Sequence, residues 1–513
     1  MRQGRYFAAR RPCSPDRRGK GIAALLVRTQ DYRRGEVLRS AEKAGSPRHL
    51  SLDALGALLL RAGRDYLVAV RGFSPNARLL LASWTLGAVG SGAVGTLFNL
   101  YIIALGFRED FLGLLLFVGA LVGGLAALPA GWLSDRFGAR PAMLGGMVVL
   151  GAAMLVQYFA TVAWLLLAGT VVAAAAVAVV TVAQTPLLYR SSTPNDRTHL
   201  FGVSDALFVA AAATGGVLAG LLVQPVQALW PVLDRAGAYR LALLAVSLIA
   251  ATSILPLWLI RPYPPEREPD GTPAPRAQGN ARPFTLSDGL RTVWEDTSTA
   301  VIAKLALTSV LMGFGAGLSI PFLNVFLVER LGAGPAAVGL IRAGGTVVTA
   351  GGALAAPVLA GSFGAVAAVA LARLASVPFL WALGLLDNLP AAAAVSMVRT
   401  ALVNAAGPII SAFSMDVVAP AWRARANATL MVSWGVSYAL GSLAGGALLA
   451  NWARMGLDTL PLHHGGYTAA FLLTGLLYAG AAVLFWLMFR HAAGTSPLGA
   501  GSRVRGAQPD QVR

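Results

Sequence analysis

The sequence predicts an all-α polytopic membrane protein with twelve transmembrane helices in two pseudo-symmetric six-helix bundles. Three observations predict it. The first is composition: of 513 residues, 56% are apolar and only 12% are charged, about half the charged share of an ordinary soluble domain. The second is a series of twelve apolar runs, each long enough to cross a hydrocarbon layer of about 30 Å. The third is an internal repeat at a nearly constant offset, which divides those runs into two sets of six.

The runs fall at 79–106, 111–133, 142–162, 163–188, 201–223, 238–260, 300–328, 334–358, 364–386, 389–415, 429–451 and 467–489. An even number places both termini on one side. Arginines concentrate on that side, in the N-terminal tail, around Arg136 and Arg140, around Arg190 and Arg197, in the linker 261–297, at Arg423 and Arg425, and in the C-terminal tail. The opposite loops carry little beyond Arg108, Arg235, Arg240, Arg330 and Arg454. The positive-inside rule therefore predicts a multi-pass protein of the cell (inner) membrane with both termini cytoplasmic. It also accounts for the net charge of +18 as orientation, so no nucleic-acid partner is expected and the bilayer is the expected environment.

The expected organisation is a basic extension (1–78), a first six-helix half (79–260), a Pro-rich linker (261–299), a second half (300–489) and a tail (490–513). Residues 1–45 lack apolar periodicity and read as a disordered tail, with a transit peptide, an ordered extension or a misplaced start as the alternatives. Leu52, Leu55, Leu59 and Ala62, and again Leu286, Leu290, Val293 and Trp294, recur at helical spacing. They predict amphipathic helices on the membrane surface before spans 1 and 7.

The repeat is read from matched residues. Gly87 and Gly313 are 226 apart (313 − 87), as are Gly106 and Gly332, Gly113 and Gly339, Gly138 and Gly364, Gly215 and Gly441, and Gly220 and Gly446. Asn99 and Asn324 match with a one-residue slip. Parallel six-span repeats are the architecture of transporters with a central site between their halves.

Between spans 2 and 3 the chain reads Gly131-Trp-Leu-Ser-Asp135-Arg136-Phe-Gly138-Ala-Arg140. This resembles the G-x-L-x-D-R-x-G-R-R signature of the major facilitator superfamily, with Ala139 where an Arg is usual. The resemblance implies that superfamily's fold and a secondary transporter of a small organic solute working by alternating access, possible direction including efflux, with a monomer as the expected unit. It also implies that Asp135, Arg136 and Arg140 form a conformational latch with the start of span 11, near Asn427, while Gly131 permits close helix contact and Gly138 a tight turn. The second half has Gly361 and Ser362 at the equivalent place, so the latch is asymmetric. Fixing topology is the competing role for these charges.

By the same resemblance, spans 1, 4, 7 and 10 line the cavity, which makes Asn99, Gln184, Asn324, Arg399 and Asn404 candidates for substrate contact. Asn99 and Asn324 lie toward span ends, where an inter-helix hydrogen bond is the competing role. Arg399 lies inside a span, where a guanidinium costs about 2.5–3.5 kcal/mol and needs water or a partner; a bound organic anion and a structural contact stay open. Arg342 and Arg373 are also intramembrane. Asp416, with Arg423 and Arg197, is a candidate cytoplasmic gate. Asp205 is expected one turn into span 5, and no other carboxylate lies well inside a span, so proton coupling is not supported.

Other classes are poorly served. Cys13 is the only cysteine, and His463-His464 has no third metal ligand near it in sequence, so no metal site and no cofactor are expected. No nucleophile–base pair or phosphate loop suggests an enzyme. A non-transporting membrane protein on the same fold, such as a sensor, a scramblase-like protein or an assembly factor, is the alternative.

Overall fold

The computed structural model describes residues 72–193, 196–261, 297–419 and 422–490. The two expected amphipathic helices, most of the linker and both tails lie outside these residues. Among the described residues every regular element is helical, as a lipid environment demands of a chain whose backbone groups must be satisfied within each segment.

Twelve helices are long and apolar enough to cross a membrane. They are α1 (Pro75–Ala104), α2 (Glu109–Phe137), α3 (Ala139–Phe159), α4 (Ala163–Ser191), α5 (Arg197–Leu229) and α6 (Arg235–Leu259, broken at Thr252 and Ser253). The second set is α7 (Thr297–Ser319, continued by Leu323–Glu329), α8 (Pro335–Phe363), α9 (Ala365–Leu383), α10 (Leu389–Val417), α11 (Arg423–Asn451) and α12 (Gly466–Phe489). The end of the molecule where α1 begins and α12 finishes is called the tail end below, and the opposite one the far end.

Local chemistry sets the helix ends. The Ser74 and Asn388 side chains accept from the amides of Ala77 and Ala391 at 3.2 and 3.1 Å, and Asp234 accepts from Gly237 at 2.7 Å. Each satisfies a first-turn donor that the helix leaves unpaired. Pro75 and Pro335 occupy first helical positions, where the missing N–H is harmless. In α7, Pro321 forces a short 3-10 turn over Ile320–Phe322, because a proline ring cannot continue the hydrogen-bond ladder.

The repeat is visible in the backbone. Gly138 and Gly364, the single residues joining α2 to α3 and α8 to α9, have φ of 90° and 80°. Only glycine adopts such angles without strain, so the turn chemistry is conserved between the two halves of the chain. Packing repeats as well. A Cβ on Gly215 would overlap the carbonyl of Val89 in α1, and one on Gly441 would overlap that of Phe314 in α7. The pairs α1–α5 and α7–α11 are therefore the same backbone-close contact made twice.

The largest apolar core lies toward the far end and joins both bundles, with Leu97 and Tyr101 of α1, Leu112 of α2, Phe326 of α7, Val338 of α8 and Phe471 of α12 all buried. A second core, built around Phe413, Phe485 and Phe489, lies within the second bundle toward the tail end.

Candidate functional site

The two bundles meet at the far end through four glycines that the repeat relates in pairs. Gly113 of α2 packs on α11, where an added Cβ would come 2.6 Å from the Ser442 carbonyl oxygen, and Gly446 faces the Glu109 carbonyl in return. Gly339 of α8 packs on α5, where a Cβ would lie 2.7 Å from the Gly216 carbonyl oxygen, and Gly220 faces the Pro335 carbonyl. Gly113 is the repeat partner of Gly339, and Gly220 of Gly446, so the α2–α11 and α5–α8 seams are one contact repeated about the pseudo-twofold axis.

Polar groups complete this closure. Asn99 Nδ2 donates to the Pro321 carbonyl at 2.8 Å, at the break in α7. Asn324 Nδ2 donates to the carbonyls of Gly95 and Thr96 at 3.1 and 3.3 Å. Each repeat-related asparagine thus holds the other bundle's helix, and their place is the far-end seam. Tyr467 donates its hydroxyl to Glu109 at 3.2 Å, and Arg235 pairs with Glu329 at 3.1 Å.

Toward the tail end the same faces part. On α2, Leu128 and Trp132 are 84% and 57% exposed, and on α11, Met431 and Val432 are 67% and 63% exposed. Gly131 and Gly435 continue the helix faces that carry Gly113 and Gly446, and a Cβ at either would meet nothing within 4 Å. The bundles therefore enclose a cleft that is open at the tail end and blocked at the far end.

Arg342 stands at the blocked end of that cleft. It follows Gly339 by three residues on α8, is exposed, and reaches across to α1, where a Cβ on Gly95 would lie 3.1 Å from its Nη2. The hydroxyl of Tyr438 on α11 lies within its electrostatic reach. Two turns further on, Thr349 of α8 accepts from Asn404 Nδ2 of α10 at 3.1 Å, and Asn404 is exposed.

The other cavity candidates sit elsewhere. Arg399 is buried and donates through Nη2 to the Tyr478 hydroxyl of α12 at 3.1 Å, so it faces the interior of its own bundle. Arg373 of α9 is buried against the Phe485 ring, and its Nε and Nη1 have no hydrogen-bond partner. Gln184 makes a long contact, 3.4 Å, to Ser204 between α4 and α5. Asp205 is eight residues into α5, because that helix begins at Arg197 and not near residue 201. A dipole effect confined to the first turn does not reach it, and its carboxylate is exposed.

The tail-end charges are disengaged. Asp135 is exposed and makes no ion pair among the described residues. Arg136 stacks on Trp132 at 5.2 Å, while Arg140 donates to the carbonyls of Leu257 and Trp258, capping the last turn of α6. The expected pairing of Asp135 with Arg136 or Arg140 is therefore not formed, since both cations have other partners. Gly131 has nothing within 4 Å of a Cβ position, so the helix contact expected there is absent while the tail ends are parted. Asp416 and Arg423 are exposed and do not meet, and Arg197 stacks on Tyr189 at 3.7 Å and donates to Ser192.

One juxtaposition was invisible in sequence. Asp387, in the α9–α10 loop, lies 2.6 Å from His463 Nε2 and 3.5 Å from His464 Nε2. It supplies the third group that the histidine pair lacks locally. His464 Nε2 also lies 3.1 Å from the Leu386 carbonyl, so the cluster ties the two far-end loops together, and a ligand atom from each of the three side chains lies within 4.8 Å of the others, close enough to share one ion.

Residues 79–305 match the family model of the Major Facilitator Superfamily. In fold the chain is similar to the crystal structure of a bacterial homolog to the human lysosomal transporter Spinster in an inward-facing, unoccupied conformation (TM-score 0.64, 18% identity, covering 81% of this chain and 97% of that chain). It is also similar to the nucleoside transporter NupG (0.62, 14%, 81% and 99%) and to a D-xylose-proton symporter (0.59, 14%, 82% and 97%). No curated protein matches the sequence. Twelve helices in two repeat-related bundles are the fold that the chain shares with these structures. The segment matched by the family model covers the first bundle, the linker and the start of α7.

Proposed function

We propose that the protein is a carrier of a small organic solute that works by alternating access, as a monomer, with its tail end in the cytoplasm of a cell whose inner membrane it spans. The observation that carries this reading is the asymmetry between the ends. The far end is shut by contacts that leave no room for a side chain, and the tail end is open, although the two ends are built from the same helices.

A channel would need a path through both ends, and a rigid sensor would need no disengaged charges at one of them. Rocking the bundles would separate Gly113 from Gly446 and Gly220 from Gly339, and bring Asp135 toward the start of α11. There the helix N-terminus attracts a carboxylate, which gives the latch a role only in the opposite conformation. The mode is binding and movement, without a chemical step.

The test uses cysteines in a Cys13→Ser background. Leu128→Cys with Val432→Cys should form a disulfide in membranes, because the tail ends approach during the cycle. Single cysteines at Ser192 and Leu331 read sidedness: an impermeant maleimide should label Leu331→Cys in intact spheroplasts and Ser192→Cys only after lysis. No cross-link under any condition would remove alternating access, and reversed labelling would remove the orientation.

A further inference from the structure

We propose that the solute carried in this cleft bears an anionic group, a carboxylate or a phosphate, and that it seats on the guanidinium of Arg342 where this faces Gly95 of the opposite bundle. The inference rests on the carrier reading above and adds the chemical class of the cargo.

An arginine within a membrane span costs several kcal/mol unless it meets water, a partner or a ligand. Arg342 cannot be excused as a lipid-facing side chain reaching for a headgroup, because its Nη2 lies against Gly95 of the opposite bundle. It makes no side-chain hydrogen bond and no ion pair among the described residues. The other arginines show what a structural role looks like here. Arg399 is buried on Tyr478, Arg140 caps α6, and Arg235 pairs with Glu329. Arg342 alone combines exposure with a place at the blocked end of the cleft, just beneath the Gly339–Gly216 contact.

Its surroundings strengthen the positive potential. Arg399 and Arg373 lie behind it in the second bundle, both acting on Tyr478, which in turn lies in electrostatic reach of Tyr438. Asp205 is the nearest thing to a mid-span carboxylate, and it lies eight residues into α5, toward the tail end. A low-dielectric cleft lined with one sign of charge concentrates the opposite sign, and a guanidinium grips carboxylate or phosphate with two parallel hydrogen bonds. Gly95 is what makes the place: any side chain there would fill the position into which the guanidinium projects. The Thr349–Asn404 pair, seven residues along α8 and so about 10 Å away, offers polar groups to the uncharged remainder of a small solute.

The test is a thermal-unfolding screen of the full chain in phosphatidylcholine nanodiscs, which carry no net anionic headgroup. The probes are small mono- and dicarboxylates and organophosphates, with nucleosides, pentoses and cationic amphiphiles as controls. At least one anion should raise the midpoint in a saturable way, Arg342→Lys should keep much of that response, and Arg342→Gln should weaken the affinity at least tenfold while its ligand-free midpoint stays within a few degrees. A second arm in phosphatidylglycerol nanodiscs separates sources: stabilisation that appears there, depends on Arg342, and is absent for soluble anions assigns the anion to a lipid headgroup. The proposal is overturned by stabilisation from neutral or cationic probes only, by an anion response that Arg342→Gln leaves intact, or by the lack of any anion response in both lipids. The Leu128→Cys/Val432→Cys cross-link is unaffected by these outcomes, so loss of the cross-link sinks the carrier reading and loss of the Arg342-dependent response sinks only this one.

Discussion

The two ends of this molecule close by different physics. At the far end, four glycines bring backbones together, two asparagines bridge the bundles, and a large apolar core fills the space between them. At the tail end the groups available for closure are charges, Asp135, Arg136, Asp416 and Arg423, and none of them pairs with another. Shape complementarity is unforgiving of added volume, whereas exposed charge pairs are worth little each. The conformation with the far end shut therefore depends on particular backbone approaches, and the opposite one on a few weak, directional contacts.

Breaking the far end should have the largest effect. Gly113→Val or Gly446→Val places branched carbons where a carbonyl of the neighbouring helix stands. Overpacking of this kind costs about 1–3 kcal/mol, enough to move a two-state equilibrium by roughly tenfold for each 1.4 kcal/mol. Labelling of a far-end cysteine deep in the seam, such as Leu97→Cys, should rise by a similar factor.

Asn324→Ala should be next. It removes the Nδ2 donor that bridges α7 to the Gly95 and Thr96 carbonyls; those carbonyls keep their helical partners in α1, so the loss is that of a hydrogen bond, about 0.5–1.5 kcal/mol. Far-end labelling should increase several-fold, with Asn99→Ala behaving alike because the two are repeat partners.

Asp135→Asn sharpens the comparison from the other side. Since Asp135 holds nothing in the tail-open state, the melting midpoint should change by no more than a degree or two. The yield of the Leu128→Cys/Val432→Cys cross-link should nevertheless fall several-fold, as the state that uses the carboxylate is lost. Unchanged cross-linking would leave Asp135 a topology determinant only.

Glu329→Gln should have the smallest effect. Its pair with Arg235 is 40–48% exposed, and such pairs contribute about 0.2–1 kcal/mol, less with salt. Far-end labelling should change by less than a factor of five, and by still less at high ionic strength.

Much of this was legible in the sequence because it is periodic. The twelve spans follow from apolar run length, and the glycines matched at 226 residues are the ones that make both seams, Gly113 with Gly446 and Gly339 with Gly220. What the repeat could not say is which helices those glycines join, since that depends on how two bundles face each other. The same limit explains the arginines. Arg399 and Arg342 look alike as charges inside apolar runs, yet one turns into its bundle toward Tyr478 and the other out toward Gly95. Helical phase held the missing signal: Arg342 shares a face with Gly339, itself the repeat partner of a seam glycine, and with Thr346 and Thr349. Asp205 was misplaced for a simpler reason, because α5 begins in the polar loop four residues before its apolar run, and a hydropathy boundary does not register a helix that starts in water. Asp387 could not be matched to His463 and His464 at all, as the three meet only through the folding of two distant loops.

The central claim is that the two ends exchange their states. It is tested most directly by electron–electron distance measurements on two spin-labelled pairs in lipid nanodiscs, one across the tail end (Leu128→Cys with Val432→Cys) and one across the far end (Leu233→Cys with Leu331→Cys). The account predicts two populations for each pair, long at the tail end when short at the far end, shifting in opposite directions when Gly113→Val or Asp135→Asn is introduced. A single population at both ends that neither substitution moves would contradict it.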